Sequence, residues 1–317
     1  MNLKELELKK YFYSPIVILT LLFSGCNETE QSSKKQNNRD ENQKIFIIGD
    51  STVHSHSTIN LLKYKKMNCG LDNPNNELQG WGDALFKYMK HPENVINKAR
   101  QGSNSLSFRT VRSPERLGLG RDWEGTIKQM RQNKNGGFLL IQFGSKNENG
   151  HTPKFDKKKN IIDYNHDGKG NKKDNKARIN LRKTHFKENI QFYIDKAKEL
   201  NITPVLITVP EARLKEKDKN GKLHPTKHRN TRGEFPNYMK EIAKEQNLQL
   251  LDLHSRTLQE FTKYSDEELR RKFGDCTLKN GYIDRTHYEP QGADRVAKMV
   301  KELACELKDS SLCSQFK

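Results

Sequence analysis

A serine, an aspartate and a histidine of this chain have the types and spacing that nucleophilic catalysis requires. Asp50 and Ser51 follow the apolar run Ile45–Ile48 and a glycine, and Asp284 lies three residues before His287 near the other end of the chain. A serine hydroxyl is a weak nucleophile until a histidine takes its proton and an acid holds the histidine ring in the right tautomer. The three residues therefore predict a serine hydrolase, although Asp50 and Ser51 could also serve only to cap the next helix.

The segments around these residues predict strands that alternate with helices. Ile45–Ile48 is a continuous apolar run, which is typical of a strand buried on both faces of a parallel sheet. Ligands of open parallel sheets bind at the carboxyl ends of the strands, where Ser51 would lie. We expect one α/β domain with long insertions, with further strands at Val95–Asn97, Phe138–Phe143, Pro204–Val209 and Leu248–Leu253 and helices near 182–200, 236–247 and 290–307.

The motif Gly49-Asp50-Ser51-Thr52, together with Asp-x-Thr-His at 284–287, resembles the SGNH (GDSL-type) hydrolases. Within them the chain is most similar to the rhamnogalacturonan acetylesterase-like carbohydrate esterases. Weaker motifs lie between the two ends in the family's order, at 80–82, 97–102, 141–144 and 208–210. Over residues 44–308 the resemblance implies a three-layer α/β/α fold with a five-stranded parallel sheet, flavodoxin-like in strand order. It also implies a serine esterase that needs no cofactor for catalysis.

The resemblance implies an oxyanion hole, and one of its members is ambiguous in this sequence. Two of its donors would be the backbone N–H groups of Ser51 and Gly102. A third donor would come from the family's third sequence block, which reads Gly-x-Asn-Asp. Here Gly144 is followed by Ser-Lys-Asn, so the position of the asparagine falls on Lys146 or has moved to Asn147.

Two regions are candidates for contacts with a sugar. Trp81 stands between two glycines and could be a stacking platform for a sugar ring or a core residue. The insertion Lys215–Arg232 carries His228, Arg229 and Arg232, and the resemblance places this region over the substrate cleft. These side chains could bind sugar carboxylates, arginine by bidentate hydrogen bonds, or they could belong to a solvated loop.

A second insertion contains a pattern typical of calcium loops. Asp163, Asn165, Asp167 and Asp174 match EF-hand positions one, three, five and twelve, with a glycine at position six. Aspartate replaces the usual glutamate at position twelve, and the lysines on both sides would repel a cation. The pattern therefore predicts either a structural calcium site or a surface loop rich in Asx turns.

The charge of the chain predicts an acidic partner. The formal net charge of the 317 residues is +18, with 31% charged and 32% apolar residues. Such an excess of positive charge attracts polyanions. The sequence shows no nucleic-acid recognition motif, so we expect an acidic polysaccharide rather than nucleic acid. A general bias toward lysine would leave the charge without a binding role. We expect a monomer.

The first residues resemble the export signal of a bacterial lipoprotein. Three lysines precede the apolar stretch Ile16–Phe23, which is too short to span a membrane, and Ser24-Gly25-Cys26 resembles a lipobox. We therefore expect a signal over residues 1–26 with lipidation of Cys26, a flexible tether over 27–43, the hydrolase domain over 44–308 and a tail over 309–317. This arrangement predicts a lipid-anchored protein of the cell envelope. A signal anchor or ordinary cleavage are the alternatives.

The remaining cysteines favour two disulfides. Cys69, Cys276, Cys305 and Cys313 are an even number in an exported chain. Cys305 and Cys313 would close a short loop at the C-terminal tail, which leaves Cys69 to pair with Cys276. Some of them could instead remain free thiols, and the absence of a Cys-x-x-Cys pair argues against a metal site.

These patterns together predict an enzyme that removes acetyl or other small acyl groups from a carbohydrate. One alternative is a carbohydrate-binding protein on a disabled esterase fold, which the lysine in the third block favours. Another is a methyl esterase that uses the same three residues.

Overall fold

The computed structural model describes residues 43–54, 68–69, 78–110, 123–145, 148, 154–155, 161–163, 175–274, 276–277, 283–307 and 310–317. The strands of these segments are β1 (Lys44–Gly49), β2 (Asn68–Cys69), β3 (Val95–Asn97), β4 (Gly137–Gln142), β5 (Lys154–Phe155), β6 (Ile161–Asp163), β7 (Ile202–Ile207), β8 (Lys215–Lys217), β9 (Leu223–His228), β10 (Gln249–Leu251), β11 (Cys276–Thr277) and β12 (Ile283–Asp284). The helices are α1 (Trp81–Ala84), α2 (Ser107–Thr110), α3 (Trp123–Gln132), α4 (Asn175–Glu199), α5 (Phe235–Glu245), α6 (Leu253–Phe261), α7 (Asp266–Phe273) and α8 (Pro290–Glu306).

Five strands form a central parallel sheet in the order β10-β7-β4-β1-β3. Counted along the chain, these strands have the order 2-1-3-4-5, which is the flavodoxin-like arrangement. All six residues of β4 are buried, and so are five of the six residues of β1. The predicted fold class and the five predicted strands are confirmed.

The two faces of the sheet contact separate apolar clusters. Along β1, Ile45 and Ile47 point into a cluster with α6, α7 and α8, whereas Phe46 and Ile48 point into a cluster with α3, α4 and α5. This alternation follows from the period of two along a strand. Helices on both faces give the predicted three layers. The helices predicted near 182–200, 236–247 and 290–307 correspond to α4, α5 and α8.

The cysteines lie in two places at the edge of the domain. A disulfide joins Cys305 to Cys313, as predicted. β2, β11 and β12 form a small antiparallel sheet in which Cys69 is opposite Cys276 in register. Directly opposed residues have neighbouring Cβ atoms, so this register is compatible with the second predicted disulfide, which stays a prediction.

The C-terminal residues pack onto the domain. Leu312 and Phe316 are buried, and Phe316 forms a β-bridge with Met89. The backbone N–H of Lys317 donates to the carbonyl of Tyr88 at 2.9 Å. The segment predicted as a tail after residue 308 therefore contributes to the core through its residues 310–317.

Several predictions fall on residues that the structure does not describe. They are lipidation at Cys26, the third-block residues Lys146 and Asn147, and the calcium ligands Asn165, Asp167 and Asp174, while Asp163 is described only as the last residue of β6. Among the described residues, no helix is long and apolar enough to cross a membrane. In the same part of the chain, no three His, Cys, Asp or Glu side chains cluster as metal ligands would.

Candidate active site

Ser51, His287 and Asp284 form a continuous hydrogen-bonded series. The Oγ atom of Ser51 lies 2.8 Å from Nε2 of His287, and Nδ1 of His287 lies 2.6 Å from Oδ2 of Asp284. An ionised carboxylate can only accept hydrogen bonds, so Nδ1 carries the proton and Nε2 of the neutral ring is left to accept one from the serine. The structure thus brings together the three residues predicted as a catalytic triad.

Asp284 is held in its ionised form. Its Oδ1 accepts hydrogen bonds from the backbone N–H groups of Thr286 at 2.8 Å and His287 at 3.1 Å. Burial by itself would raise the pKa of Asp284, but the charge of His287 and these hydrogen bonds hold it well below its ordinary value. Asp284 can therefore orient the His287 ring and stabilise its protonated form.

Ser51 lies at the carboxyl end of β1, where the chain turns sharply. The carbonyl of Asp50 accepts the backbone N–H groups of Val53 and His54, both at 3.2 Å. Only 8% of Ser51 is exposed, so the hydroxyl opens on a restricted area of the surface. The apolar strand and the turn together set the position of the hydroxyl at the edge of the sheet.

A buried polar network supports this turn from behind. Oδ1 of Asp50 accepts the N–H and the hydroxyl of Thr52, at 2.9 and 2.8 Å. Nε2 of Gln142, at the end of β4, donates to Oγ1 of Thr52 at 2.9 Å, and its Oε1 accepts Nε1–H of Trp81 at 2.7 Å. The network thus joins the end of β4 to Asp50 and Thr52, the two residues that flank Ser51.

The prediction that Trp81 binds substrate is wrong. Trp81 is completely buried in an apolar cluster, and its indole N–H is used by Gln142. The flanking Gly80 has a different purpose, since a Cβ there would lie 2.2 Å from the backbone of Val53. The glycine lets α1 approach the Ser51 turn closely, and no face of the indole ring is left for a sugar.

The backbone donors predicted for the oxyanion hole are available. Gly102 has a φ of 71°, a left-handed conformation that glycine adopts at little cost. Within the described residues, the backbone N–H groups of Ser51 and Gly102 donate no hydrogen bond. The segment that carries Gly102 is attached to β1, because the N–H of Arg100 donates to the carbonyl of Gly49 at 3.0 Å. Two backbone donors without a partner in the protein are what a developing oxyanion needs, and their role in binding it stays a prediction.

A buried glutamate beside the third block was not recognised from the sequence. Glu148 accepts the N–H and the hydroxyl of Ser105 at 2.5 and 3.0 Å, and the hydroxyl of Tyr193 donates to the carbonyl of Ser105 at 2.7 Å. Burial raises the pKa of Glu148 to about 8. Glu148 thereby joins the third block to the segment that follows Gly102. The only sequence signal was its place directly after Asn147.

The three residues of the insertion that were predicted to bind sugar lie in different environments. Arg232 is 1% exposed, and its Nε–H donates to the carbonyl of Pro210 at 2.7 Å, so the prediction that Arg232 contacts substrate is wrong. His228 is half-buried, with Nε2 2.9 Å from Nζ of Lys215, and burial lowers its pKa. Its ring therefore faces the protein, and Arg229 alone of the three is exposed.

The base of the β8–β9 hairpin is fixed by a second residue that the sequence did not reveal. Glu211 is buried and accepts the N–H of Ala212 at 2.7 Å, the hydroxyl of Thr231 and a hydrogen bond with Nε2 of His254 at 3.2 Å. Burial would raise the pKa of Glu211, but hydrogen bonds from His254 and Thr231 keep it below its ordinary value. An ionised Glu211 therefore joins the segment after β9 and the start of α6 to the segment after β7.

Two proteins of Bacillus subtilis (strain 168) are similar to this chain over most of its length. The rhamnogalacturonan acetylesterase RhgT is 26% identical over 279 residues, which cover 84% of this chain and 93% of RhgT. The probable rhamnogalacturonan acetylesterase YesY is 27% identical over 274 residues, which cover 84% of this chain and 96% of YesY. No family model matches the chain.

Among solved structures, the crystal structure of the Bacillus subtilis protein YxiM has a similar fold. The TM-score is 0.53 at 18% sequence identity, and the match covers 84% of this chain and 56% of YxiM. This chain thus spans little more than half the length of YxiM, and the likeness concerns the fold alone. The chain is thus similar at low identity, along most of its length, to proteins named as a rhamnogalacturonan acetylesterase and a probable one, and it has the flavodoxin-like sheet described above.

Proposed function

We propose that this protein is a serine esterase that removes acetyl or other small acyl groups from a carbohydrate. The observation that carries the proposal is the series Ser51–His287–Asp284, with contacts of 2.8 and 2.6 Å at the carboxyl edge of the sheet. An intact series of this kind is what acyl transfer by serine requires. It also argues against a disabled fold that only binds carbohydrate.

The geometry supports a two-step reaction. His287 takes the proton of Ser51 as the hydroxyl attacks the ester carbonyl, and the ionised Asp284 stabilises the ring while it is protonated. The backbone N–H groups of Ser51 and Gly102 stabilise the negative oxygen, and His287 then gives its proton to the departing sugar hydroxyl. A water molecule repeats the attack on the acyl-enzyme and releases the acid. No step requires a cofactor.

The proposed substrate is an acetylated acidic polysaccharide. The similarity to RhgT and YesY, which are named as a rhamnogalacturonan acetylesterase and a probable one, supports a polysaccharide ester. The net charge of +18 supports an acidic polymer. We further propose that the protein works as a lipid-anchored monomer in the cell envelope, on the basis of the lipobox-like Ser24-Gly25-Cys26.

One experiment tests this proposal. The purified protein and its Ser51→Ala variant are assayed on p-nitrophenyl acetate, on acetylated pectin and on methyl-esterified pectin. Release of acetate that depends on Ser51 supports the proposal, and release of methanol alone would identify a methyl esterase. If the unmodified protein hydrolysed none of the esters and still bound the polysaccharides, the disabled-esterase alternative would be correct.

A further inference from the structure

A completely buried arginine holds the segment that carries the acid and the base. Nη2 of Arg213 donates to the carbonyl oxygens of His287 and Gly274, both at 2.7 Å, and lies 3.4 Å from the carbonyl of Asp284. The backbone N–H of Arg213 donates to the carbonyl of Arg285 at 2.9 Å. Arg213 thus contacts the main chain of both Asp284 and His287.

This segment needs support from outside the central sheet. β12 is only two residues long and pairs with β11, another two-residue strand of the small antiparallel sheet. Two residue pairs of a ladder provide few backbone hydrogen bonds. The distance from His287 to Ser51 is therefore not set by the central sheet, which ends at β3 on one side and β10 on the other.

Arg213 connects the segment to the apolar core. Its guanidinium lies over the ring of Tyr288 with 4.9 Å between Cζ and the ring centroid, within the range of a cation–π contact. Tyr288 is completely buried and belongs to the apolar cluster around α8. The residue after His287 and the carbonyl of His287 are therefore both in contact with the same guanidinium.

We propose that Arg213 is a positioning residue of the esterase, which sets the location of His287 relative to Ser51 without touching the substrate. The proposal rests on the proposed serine mechanism. Lysine does not reproduce arginine here, because an ammonium group lacks the planar guanidinium that lies over the Tyr288 ring while its Nη2 atom donates to the carbonyls. Misplacement of reacting groups by about 1 Å can cost on the order of 10²-fold in rate.

Arg213→Lys is the test variant, and Arg232→Lys is its matched control. Arg232 is also a buried arginine, and the two flank the β8–β9 hairpin. Its Nε–H donates to the carbonyl of Pro210, which lies outside the segment that carries Asp284 and His287. The first readout is the rate at which a fluorophosphonate modifies Ser51, which needs the base and no sugar. We expect Arg213→Lys to lower this rate by about 10- to 100-fold and Arg232→Lys to change it less than about threefold.

Steady-state kinetics on p-nitrophenyl acetate distinguish positioning from substrate binding and from general loosening. Arg213→Lys should lower kcat by the same factor as the labelling rate and leave KM nearly unchanged. In an Asp284→Asn background the loss should be smaller, because residues that act as one unit are not additive. A change in KM alone, full additivity with Asp284→Asn, or an equal loss in Arg232→Lys would each overturn the proposal.

The design also separates this proposal from the proposed function. If the unmodified protein is labelled but hydrolyses no ester, the esterase proposal fails and the labelling ratio still tests Arg213. If the unmodified protein resists the reagent, both proposals are wrong. Arg213→Gln is the second variant should Arg213→Lys not fold. If neither variant gives a native near-ultraviolet circular dichroism spectrum at low temperature, Arg213 is needed for folding and the positioning role is overturned.

Discussion

The nucleophile and the acid–base pair are held by very different parts of the molecule. Ser51 follows a buried central strand, and Asp50 and Gln142 brace its turn through a network of buried side chains. Asp284 is the last residue of a two-residue strand outside the central sheet, and His287 follows that strand. The nucleophile is therefore held by the core of the central sheet, whereas the base is held by contacts outside that sheet, such as those of Arg213 and the bridge between Gln79 and Tyr288. We call these two regions the nucleophile half and the acid–base half of the site. Substitutions near the nucleophile half should lower mainly the stability of the fold, and substitutions near the acid–base half should lower mainly the rate of turnover.

The largest effects are expected where the two halves meet. Ser51→Ala and His287→Ala should each lower kcat by on the order of 10³-fold or more, because they remove members of one unit. Asp284→Asn should leave a small residual activity, since the ring keeps a hydrogen-bonding partner. Hydrolysis of p-nitrophenyl acetate measures the effect, and unchanged melting curves serve as the control. Retention of more than about a tenth of the activity by Ser51→Ala would disprove the serine mechanism.

The third block decides whether the nucleophile half also supplies a side-chain donor to the oxyanion. We expect Asn147→Ala to lower kcat by roughly 10²- to 10³-fold, which is typical for the loss of one such donor. Lys146→Ala should change mainly KM for the polysaccharide. Both variants are compared on p-nitrophenyl acetate and on acetylated pectin. A loss of kcat confined to Lys146→Ala would identify the lysine as the donor.

The pH dependence of stability should reveal whether Glu148, which supports the nucleophile half of the site, is neutral in the folded protein. Because burial raises the pKa of Glu148 from 4.5 to about 8, the folded state keeps the carboxyl neutral at pH values where the unfolded chain ionises it. The contribution of the neutral carboxyl to the free energy of unfolding is fully present below about pH 4.5 and is lost as the pH rises toward 8. Between pH 6 and 8 the loss should reach about 2 kcal/mol.

Glu148→Gln, which stays neutral at every pH, should remove this part of the pH dependence. Urea unfolding at pH 6, 7 and 8 measures the free energy of unfolding for the variant and the unmodified protein in parallel. Identical pH dependence of the two proteins would show that the carboxyl is ionised in the folded state.

The smallest effects separate a core residue from a surface residue. Trp81→Phe should lower the free energy of unfolding by about 1 to 3 kcal/mol, because Oε1 of Gln142 loses its donor inside the protein. It should leave KM for the polysaccharide unchanged. Arg229→Ala should instead raise KM for an acidic polysaccharide severalfold at low salt and leave stability unaffected. A rise in KM for polysaccharide alone in Trp81→Phe would restore the sugar-stacking interpretation.

The sequence was sufficient for the sheet and the triad because their signals are local. A continuous apolar run ending in Gly-Asp-Ser identifies both the strand and the nucleophile, and the three-residue spacing of Asp284 and His287 identifies their pair. The role of Trp81 was predicted wrongly because flanking glycines are compatible both with a helix packed closely against the Ser51 turn and with an exposed surface on which a sugar ring could stack. Arg213 and Glu148 could not be found this way. Their partners lie 43 to 74 residues away along the chain. No local sequence pattern distinguishes a buried glutamate or arginine from the many charged residues that lie on the surface.

The contact between Ser51 and His287 joins residues 236 positions apart in the chain. Contacts at such sequence separation form late, because the entropy of closing a long loop must be overcome before they stabilise anything. The nucleophile is therefore without its base until the last helix and the β11–β12 hairpin have docked onto a sheet whose first strand is synthesised some 240 residues earlier. Reactivity of Ser51 toward a fluorophosphonate should consequently report the final step of folding, and a nascent chain should not react until its C-terminal end is in place.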